Sequence, residues 1–321
     1  MNDWQIGKIA GFAVIMPATR SQRPETLTMP YASRETRSLP AADRAGVPLL
    51  VRSLREISGF SLAWASMLDA SRPLKVRLET CIENLRLRPV SQDELVLLVG
   101  RPGPPVGSTS CALLSTQERQ RALRFRFEAD KWSYSAAHSL LRASLATLAG
   151  CDPLALEFMS ETAGKPIIDP SSAAAEALHG LHFNLSHTRG LVAVALARHP
   201  IGIDVERARR VPEMRDLVIE LMSENALARF DATRSACEQS ALFMRYWTLC
   251  EAYLKACGEG LVGTTRHLEF SPSGVPVLFL GNSNRPEQNW QFGFANGEKA
   301  NWRWADGASQ NNLAIATMIA G

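Results

Sequence analysis

Residues 245–261 read RYWTLCEAYLKACGEGL, and they decide the fold because they are expected to end the longest helix of the chain. Apolar residues recur at helical spacing, and Gly258 stands where a left-handed residue would end the helix. Glu251 and Lys255 lie four positions apart and therefore share one face. A surface ion pair would explain the two charges, but the apolar neighbours leave little polar face, which favours a functional site.

Two further carboxylates occur in the stretch GIDVE at residues 202–206. Because side chains alternate along a strand, Asp204 and Glu206 are expected on one face and the branched residues on the other. The polar outer face of an edge strand would give the same alternation, so the pattern alone leaves both interpretations open. Together with Glu251 the pair would form an all-oxygen site suited to Mg²⁺. A magnesium ion beside Lys255 indicates phosphoryl chemistry.

The order of the elements predicts an α+β protein. A buried strand over 94–100 is followed by a helical pattern that ends at Gly150, and then by several strands. A second unit repeats this order with the long helix and further strands. We therefore predict two tandem, similar α/β halves with pseudo-twofold symmetry and mostly antiparallel sheets packed on a long helix. The predicted units are an N-terminal extension over 1–90, a first half over 91–200 and a second half over 201–321.

The N-terminal extension differs in composition from the rest of the chain. Residues 17–57 are rich in Pro, Ser, Thr and Arg and have no sustained period, which predicts a linker-like, partly disordered arm of unknown role. Its arginines could contact an acidic partner, but the composition favours a solvated tail. The apolar run near the N terminus is short and is preceded by a single lysine, so a secretory signal is not expected.

The overall composition bounds the class of protein. The chain has 321 residues, of which 46% are hydrophobic and 21% charged, as expected of a soluble globular protein. The 35 basic and 32 acidic residues nearly balance, so the net charge of +3 gives no indication of bulk nucleic-acid binding. The six cysteines lack the spacing of a zinc site and are expected to be reduced thiols. Since no segment is long and apolar enough to span a membrane, we expect a cytoplasmic protein with no membrane or nucleic-acid partner.

The chain resembles the 4′-phosphopantetheinyl transferase superfamily, specifically the long pseudodimeric type that activates carrier proteins of peptide, polyketide and fatty-acid synthases. The resemblance rests on GIDVE at 202–206 and on the pattern W-x-x-x-E-A-x-x-K followed by G-x-G-L at 247–261. GKP at 164–166 and FNLSHT at 183–188 reinforce it, and all four motifs occur in the order and at the spacing typical of the family. The similarity runs from residue 95 to residue 318 and leaves the first 90 residues unexplained.

The resemblance implies an enzyme of the holo-[acyl-carrier-protein] synthase type. Such a transferase moves the 4′-phosphopantetheine group of coenzyme A onto a serine of an apo acyl carrier protein or peptidyl carrier protein, and releases adenosine 3′,5′-bisphosphate. By the same resemblance, Asp204, Glu206 and Glu251 would hold Mg²⁺ against the pyrophosphate. Glu251, directly or through a metal-bound water, would also take the proton from the serine, because a serine hydroxyl needs a base at neutral pH. Lys255 would neutralise the leaving phosphate.

The resemblance also assigns a set of residues to coenzyme A binding. They are Arg121, Arg124, Lys165, Pro166, Ser186 and His187. Coenzyme A carries a pyrophosphate and a 3′-phosphate, so several separated cations are expected to bind it. Simpler explanations stay open for each cation: a strand-end histidine held by a backbone carbonyl, a solvated turn lysine, and a solvated helix face for the two arginines.

Position 250 departs from the family pattern. Many members have lysine just before the helical glutamate, whereas this chain has Cys250. A thiol does not supply that charge, so a non-catalytic relative that binds coenzyme A or a carrier protein stays open as an alternative. The intact carboxylates and Lys255 argue for an active enzyme. A nucleic-acid binder that uses the arginine-rich segments is a third hypothesis, but the chain has no recognisable binding motif. Two tandem halves in one chain predict a monomer, and no motif identifies the carrier protein.

Overall fold

The structure is a computed structural model that describes residues 14–18, 51–52, 54–58, 63–66, 75–79, 85–102, 113–160, 164–207, 214–258, 265–268, 289–296, 301–304 and 313–318. The helices in these ranges are α1 (Thr116–Ala122), α2 (Glu128–Ala149), α3 (Met214–Leu221), α4 (Glu224–Ala232) and α5 (Ala236–Cys257). Short 3₁₀ turns lie at Pro153–Ala155 and Thr265–His267. None of the helices described has the length and apolar character needed to cross a membrane.

The strands are given in chain order. They are β1 (Val14–Ala18), β2 (Val51–Arg52), β3 (Leu54–Ser58), β4 (Ala63–Ser66), β5 (Lys75–Glu79), β6 (Glu94–Pro102), β7 (Phe158–Ser160), β8 (Pro166–Ile168), β9 (His182–Thr188), β10 (Leu191–Ala197), β11 (Gly202–Arg207), β12 (Asn289–Asn296), β13 (Asn301–Trp304) and β14 (Leu313–Met318). They form two five-stranded sheets and two separate two-stranded pairs, β3 with β13 and β7 with β8.

The first sheet has the order β2-β6-β10-β9, with β5 beside β6. Every residue of β10, LVAVALA, is buried. An apolar run without alternation is expected there, because both faces of the strand are covered. β10 is antiparallel to β6 and β9, whereas β5 runs parallel to β6. One face packs against α2, whose leucines share a core with Val192, Val194 and Leu196.

The second sheet has the order β1-β11-β14-β12-β4, and β1 also pairs with β12. β11 is therefore an internal strand, antiparallel to both β1 and β14. α5 packs against β11, β1 and β14. This places the GIDVE strand directly beneath the helix that carries Glu251 and Lys255.

Two glycines set the position of α5. Gly258 ends the helix with a left-handed φ of 71°, and its amide donates to the Leu254 carbonyl, as the sequence predicts. Gly202 lies where α5 meets β11. A Cβ atom at position 202 would lie 2.5 Å from the Ala256 amide nitrogen and closer still to the Ala252 carbonyl oxygen. Because only a glycine leaves this space empty, helix and strand can approach closely.

The predicted α+β class and the antiparallel sheets are confirmed, as are the strand over 94–100 and the helix that ends at Gly150. A twofold relation between the halves stays a prediction. Within the predicted extension over 1–90, β1 and β4 belong to the second sheet, β2 and β5 to the first, and β3 pairs with β13. The role of the extension stays a prediction. The strands β1 to β5 have only two to five residues, so their alternation of side chains is too short to be recognised in an arginine-rich sequence. The other residues of the extension before residue 85 lie outside those described.

Candidate active site

The contact between α5 and β11 brings Lys255 onto Asp204. The Lys255 Nζ lies 2.6 Å from the Asp204 Oδ1, although the two residues are 51 positions apart. The Asp204 side chain is 5% exposed and that of Lys255 is 30% exposed. The ion pair therefore joins the two motifs that the sequence singles out, the GIDVE strand and the long helix, in one partly enclosed site.

Both carboxylates of β11 are buried. Asp204 and Glu206 are 4% and 6% exposed, so their interpretation as the outer face of an edge strand is wrong. The physical reason is that β11 lies inside its sheet and α5 covers it. The Asp204 Oδ2 and the Glu206 Oε2 are buried and have no hydrogen-bond partner among the residues described. Buried polar atoms normally have a hydrogen-bond partner, so one oxygen of each carboxylate is available to a further ligand.

Two side chains of β9 accept hydrogen bonds from the backbone of β11 and so connect β11 to the first sheet. The Asn184 Oδ1 accepts a hydrogen bond from the Ile203 amide at 2.8 Å, and the Ser186 Oγ accepts one from the Val205 amide at 2.9 Å. Asn184 and Ser186 are both buried and lie two positions apart on β9. The FNLSH motif thus binds the backbone of the strand that carries the carboxylates.

The electrostatics of the site reflect three acidic groups around one cation. Burial alone would lower the pKa of Lys255, but the charges of Asp204 and Glu251 raise it above its ordinary value. Burial and the Asp204 charge raise the pKa of Glu206 well above its ordinary value, and Glu251 adds to this. Lys255 is therefore charged at neutral pH. One ammonium leaves the carboxylates with uncompensated negative charge, which a divalent cation would relieve.

A cavity of about 990 Å³ opens beside the Asp204–Lys255 pair. Seven of the predicted site residues line it: Arg121, Lys165, Pro166, Ser186, His187, Glu251 and Lys255. Arg124, Asp204 and Glu206 are not among the residues that line it. The prediction placed Arg121 and Arg124 on one helix face, but α1 ends at Ala122 and Leu123 is its cap residue, so Arg124 leaves the helical register.

Two of the lining residues, Lys165 and His187, contact other parts of the protein. The Lys165 Nζ donates to the carbonyl oxygens of Ile201 and Ala256, both at 3.2 Å. It thus joins the segment before β11 to the last turn of α5, so the interpretation as a merely solvated turn lysine is wrong. The His187 ring meets the edge of the Tyr134 ring, with 6.0 Å between the ring centroids.

Sequence reasoning missed a buried network in the same cavity wall. Glu118 accepts from the Arg142 Nε at 2.7 Å and lies 3.2 Å from the His138 Nδ1. Arg142 also donates to the carbonyls of Pro153 and Leu156. Burial alone would raise the pKa of Glu118, but its hydrogen bonds and the Arg142 charge lower it to about 2. The signal that could have found it is the capping box STQE at 115–118, which starts α1.

The chemistry of the carboxylates fits a hard divalent cation. No three His, Cys, Asp or Glu side chains in the part of the chain described are close enough to form a ready ligand cluster. The unsatisfied buried oxygens of Asp204 and Glu206 are nevertheless the type of ligand that Mg²⁺ takes, and this ion commonly uses few protein carboxylates. These residues therefore fit magnesium as a pair of oxygen donors.

Cys250 lies away from the cavity. Its side chain is buried, and it does not line the cavity. Burial raises the pKa of the Cys250 thiol well above its ordinary value. Cys250 is therefore a buried structural thiol.

Comparisons with known proteins point to one family. Residues 200–316 match the family model described as the 4′-phosphopantetheinyl transferase superfamily. Residues 101–199 match the model described as 4′-phosphopantetheinyl transferase, N-terminal. The two matches adjoin each other and together cover both predicted halves.

Individual relatives agree with the family models. The chain is 35% identical over 153 residues to the 4′-phosphopantetheinyl transferase HetI of Nostoc sp., covering 47% of this chain and 62% of the relative. It is 29% identical over 150 residues to a 4′-phosphopantetheinyl transferase of Bacillus subtilis, with coverage of 47% and 62%. It is 30% identical over 186 residues to a phosphopantetheinyl transferase of Thraustochytrium sp., with coverage of 52% and 61%. The matches therefore span only 61% to 62% of the length of these relatives.

Proposed function

Because the chain belongs to the 4′-phosphopantetheinyl transferase superfamily, we propose that it transfers the 4′-phosphopantetheine group of coenzyme A to a serine of an apo acyl or peptidyl carrier protein. One observation carries the proposal. Lys255, which is paired with the buried Asp204, lines a cavity together with further cations, and one oxygen each of Asp204 and Glu206 is buried without a hydrogen-bond partner among the residues described. Phosphoryl transfer needs this combination of anionic metal ligands and cations.

The carboxylates are the proposed metal ligands. Asp204 and Glu206 would be the first ligands of Mg²⁺, and Glu251 would join them on binding, because the three carboxylates do not form a ready cluster among the residues described. The bound ion would neutralise charge on the pyrophosphate oxygens. The unsatisfied oxygens of Asp204 and Glu206 support this assignment, and so does the excess of acidic groups over cations around them. Lys255 would bind the leaving phosphate from the cavity side, because its ammonium is charged and partly exposed.

The transfer itself is a displacement at phosphorus. The carrier serine oxygen would form a bond to the phosphorus of the phosphopantetheine phosphate, and the bond from that phosphorus to the bridging oxygen would break. Glu251 lines the cavity and would accept the serine proton. Adenosine 3′,5′-bisphosphate would leave with the bonding electrons, and Lys255 would balance its new charge.

The cavity offers groups for the rest of coenzyme A. Arg121 and His187 line it on opposite elements, α1 and β9, and are proposed to bind phosphate oxygens. Lys165 directly precedes β8, Pro166 begins it, and both form another part of the wall. A volume of about 990 Å³ is at the upper end of those that enclose small-molecule ligands, which suits a large nucleotide substrate.

Mass spectrometry of a purified apo carrier protein tests the proposal. The protein, coenzyme A and Mg²⁺ are expected to add one phosphopantetheine group, and Asp204→Ala and Glu251→Ala are expected to abolish the addition. Asp216→Ala is the matched control, because Asp216 is an exposed aspartate on α3. Failure of several carrier proteins to gain mass, while the protein still binds coenzyme A, would favour the non-catalytic alternative. Equal activity of Asp204→Ala and Asp216→Ala would refute the assigned site.

A further inference from the structure

α1 is a short helix that lies mostly at the surface. All seven of its residues are described, and of these only Ala122 is buried. A helix of this length is marginal in water on its own, so contacts with the rest of the protein must hold it in place. The same helix carries Arg121, one of the cations that line the cavity. Whatever holds α1 therefore also determines where the Arg121 guanidinium lies.

Glu118 links α1 to α2. Its Oε2 accepts hydrogen bonds from the Arg142 Nε and from the Ser115 amide, both at 2.7 Å, and its Oε1 lies 3.2 Å from the His138 Nδ1. The side chains of Glu118 and Arg142 are 13% and 4% exposed, so little water reaches the ion pair. A charge-assisted bond that is shielded in this way is stronger than a surface ion pair.

Arg142 is itself held in one orientation. Its Nη1 donates to the carbonyl oxygens of Pro153 and Leu156 at 2.8 and 3.1 Å. Its guanidinium carbon lies 4.9 Å from the centre of the Phe158 ring. The planar guanidinium therefore presents its Nε to Glu118 from a fixed position on α2.

The position of Glu118 bears on Arg121 because the two residues are three positions apart and share one face of α1. Both side chains line the cavity. If α1 were free to move, the long Arg121 side chain would have to be ordered each time it bound a phosphate. Ordering of that kind lowers affinity by about 2- to 10-fold. With α1 fixed on α2, part of the ordering takes place when the protein folds.

We propose that Glu118 is a positioning residue, whose ion pair with Arg142 fixes α1 on α2 and so holds the Arg121 guanidinium in place for a phosphate of coenzyme A. The inference rests on the proposed binding of coenzyme A by Arg121. It assigns to Glu118 a role in substrate affinity that is separate from protein stability.

Glu118→Gln separates this role from helix capping. Glutamine can accept the bond from the Ser115 amide in a capping box, whereas the charge that pairs with Arg142 is lost. We expect the calorimetric Kd for coenzyme A to weaken by about 3- to 10-fold, because Arg121 must then be ordered on binding. A wild-type Kd in Glu118→Gln would overturn the proposal.

A double-mutant cycle shows whether the effect depends on Arg121. Arg121→Ala alone should weaken the Kd by about 10-fold, as expected for the loss of one charge-assisted bond to phosphate. In the Arg121→Ala background, Glu118→Gln should change the Kd by less than about twofold, because the side chain that it positions is absent. Additive effects of the two substitutions, or a wild-type Kd in Arg121→Ala, would refute the positioning role.

Glu128→Gln is the matched control. Glu128 lies in the first turn of α2, is 64% exposed and pairs with Lys131 at 3.4 Å. Removal of its charge should leave the Kd within about twofold of wild type, because exposed ion pairs contribute little. If Glu118→Gln does not fold, Arg142→Lys keeps the buried charge without the planar fork of donors, and should give the same weakening and the same dependence on Arg121. Wild-type affinity in a folded Arg142→Lys protein would show that the geometry of the ion pair is not needed.

Amide hydrogen exchange tests the position of α1 without coenzyme A. The Leu123 amide bonds to the Arg119 carbonyl at the end of α1. It should exchange faster in Glu118→Gln, whereas the Gly150 amide, which bonds to the Ala146 carbonyl at the end of α2, should not change. If wild-type protein does not bind coenzyme A, the proposed function fails while this measurement still tests the ion pair. Unchanged exchange at Leu123 would show that Glu118 does not hold α1.

Discussion

Replacing Gly202 by alanine should displace the catalytic helix from its strand. The new Cβ would lie 2.5 Å from the Ala256 amide nitrogen, 3.0 Å from its Cα and closer still to the Ala252 carbonyl oxygen. These are backbone atoms of α5, so no side chain can rotate away. Ordinary contacts begin at 3.4 Å, so β11 and α5 must separate by about 1 Å to relieve the contact with the Ala256 nitrogen, and by more to relieve that with the Ala252 oxygen.

The shift has two measurable consequences. Overpacking of this kind costs about 1 to 3 kcal/mol of unfolding free energy, which urea denaturation can detect. The Lys255–Asp204 contact of 2.6 Å would also lengthen beyond hydrogen-bond range. A displacement of about 1 Å can reduce a rate about 100-fold, or about 2.7 kcal/mol of activation free energy. We therefore expect carrier-protein modification to fall by roughly that factor.

Gly150→Ala is the control that separates a displacement of α5 from a general loss of stability. Gly150 ends α2 with a φ of 67°, and a Cβ there would meet nothing within 4 Å. Gly150→Ala should lower the unfolding free energy by about 1 kcal/mol through backbone strain alone and leave the transfer rate unchanged at temperatures where it is folded. If Gly202→Ala retains both wild-type activity and wild-type stability, the close approach of β11 and α5 is not what positions the site.

Three further substitutions test separate parts of the structure. Glu118→Gln should make the unfolding free energy less sensitive to acid. Because the native pKa of Glu118 is lowered to about 2, its contribution to stability is present above its ordinary pKa and is lost as the pH falls. Urea titrations should show a loss of about 2 kcal/mol between pH 6 and pH 3 in wild type that the variant lacks. Lys165→Met should lower the unfolding free energy by about 1 to 3 kcal/mol, because two backbone carbonyls lose their donor. Cys250→Lys should destabilise the protein by about 2 kcal/mol or more and leave the calorimetric Kd for coenzyme A unimproved, because the position is buried away from the cavity.

Each of these three predictions has a control or an outcome that would contradict it. Glu224→Gln alters an exposed glutamate in the first turn of α4 and should leave the acid dependence of wild type intact. Equal stability of Lys165→Met and wild type would show that the two carbonyl bonds contribute little. Tighter coenzyme A binding by a stable Cys250→Lys protein would show that position 250 reaches the substrate after all.

Local pattern was sufficient for the elements with many periods. We could predict the two helices that end at Gly150 and Gly258 because each has a long helical period and a glycine at its end. We could predict the strand over 191–197 from its continuous apolar run. The alternation in GIDVE placed Asp204 and Glu206 on one face. It did not show whether that face is buried, since burial depends on α5, which is distant in sequence.

Non-local contacts account for what the sequence did not reveal. Lys255 was considered beside Glu251, one turn away, but its bonded carboxylate is Asp204 on another element. Ser186 was assigned to coenzyme A binding by the family resemblance, and the sequence could not show that its hydroxyl also bonds Asp204, Val205 and Lys255 on two other elements. Arg124 shared a face with Arg121 only on the assumption that α1 continues, whereas the capping residue follows at Leu123.

The charge distribution explains why the site is built between strand and helix and not on a loop. Two buried carboxylates one strand period apart repel each other. Burial first, and then the charge of Asp204, raise the pKa of Glu206 well above its ordinary value. Lys255 and the Ser186 hydroxyl offset part of it at Asp204, but neither bonds to Glu206 among the contacts described. Rigid elements can hold such an unfavourable arrangement, whereas a loop would relax and separate the charges. The site therefore carries more negative than positive charge, and the proposed Mg²⁺ would reduce the repulsion between the carboxylates when it binds with the pyrophosphate. This couples substrate binding to the electrostatics of the fold.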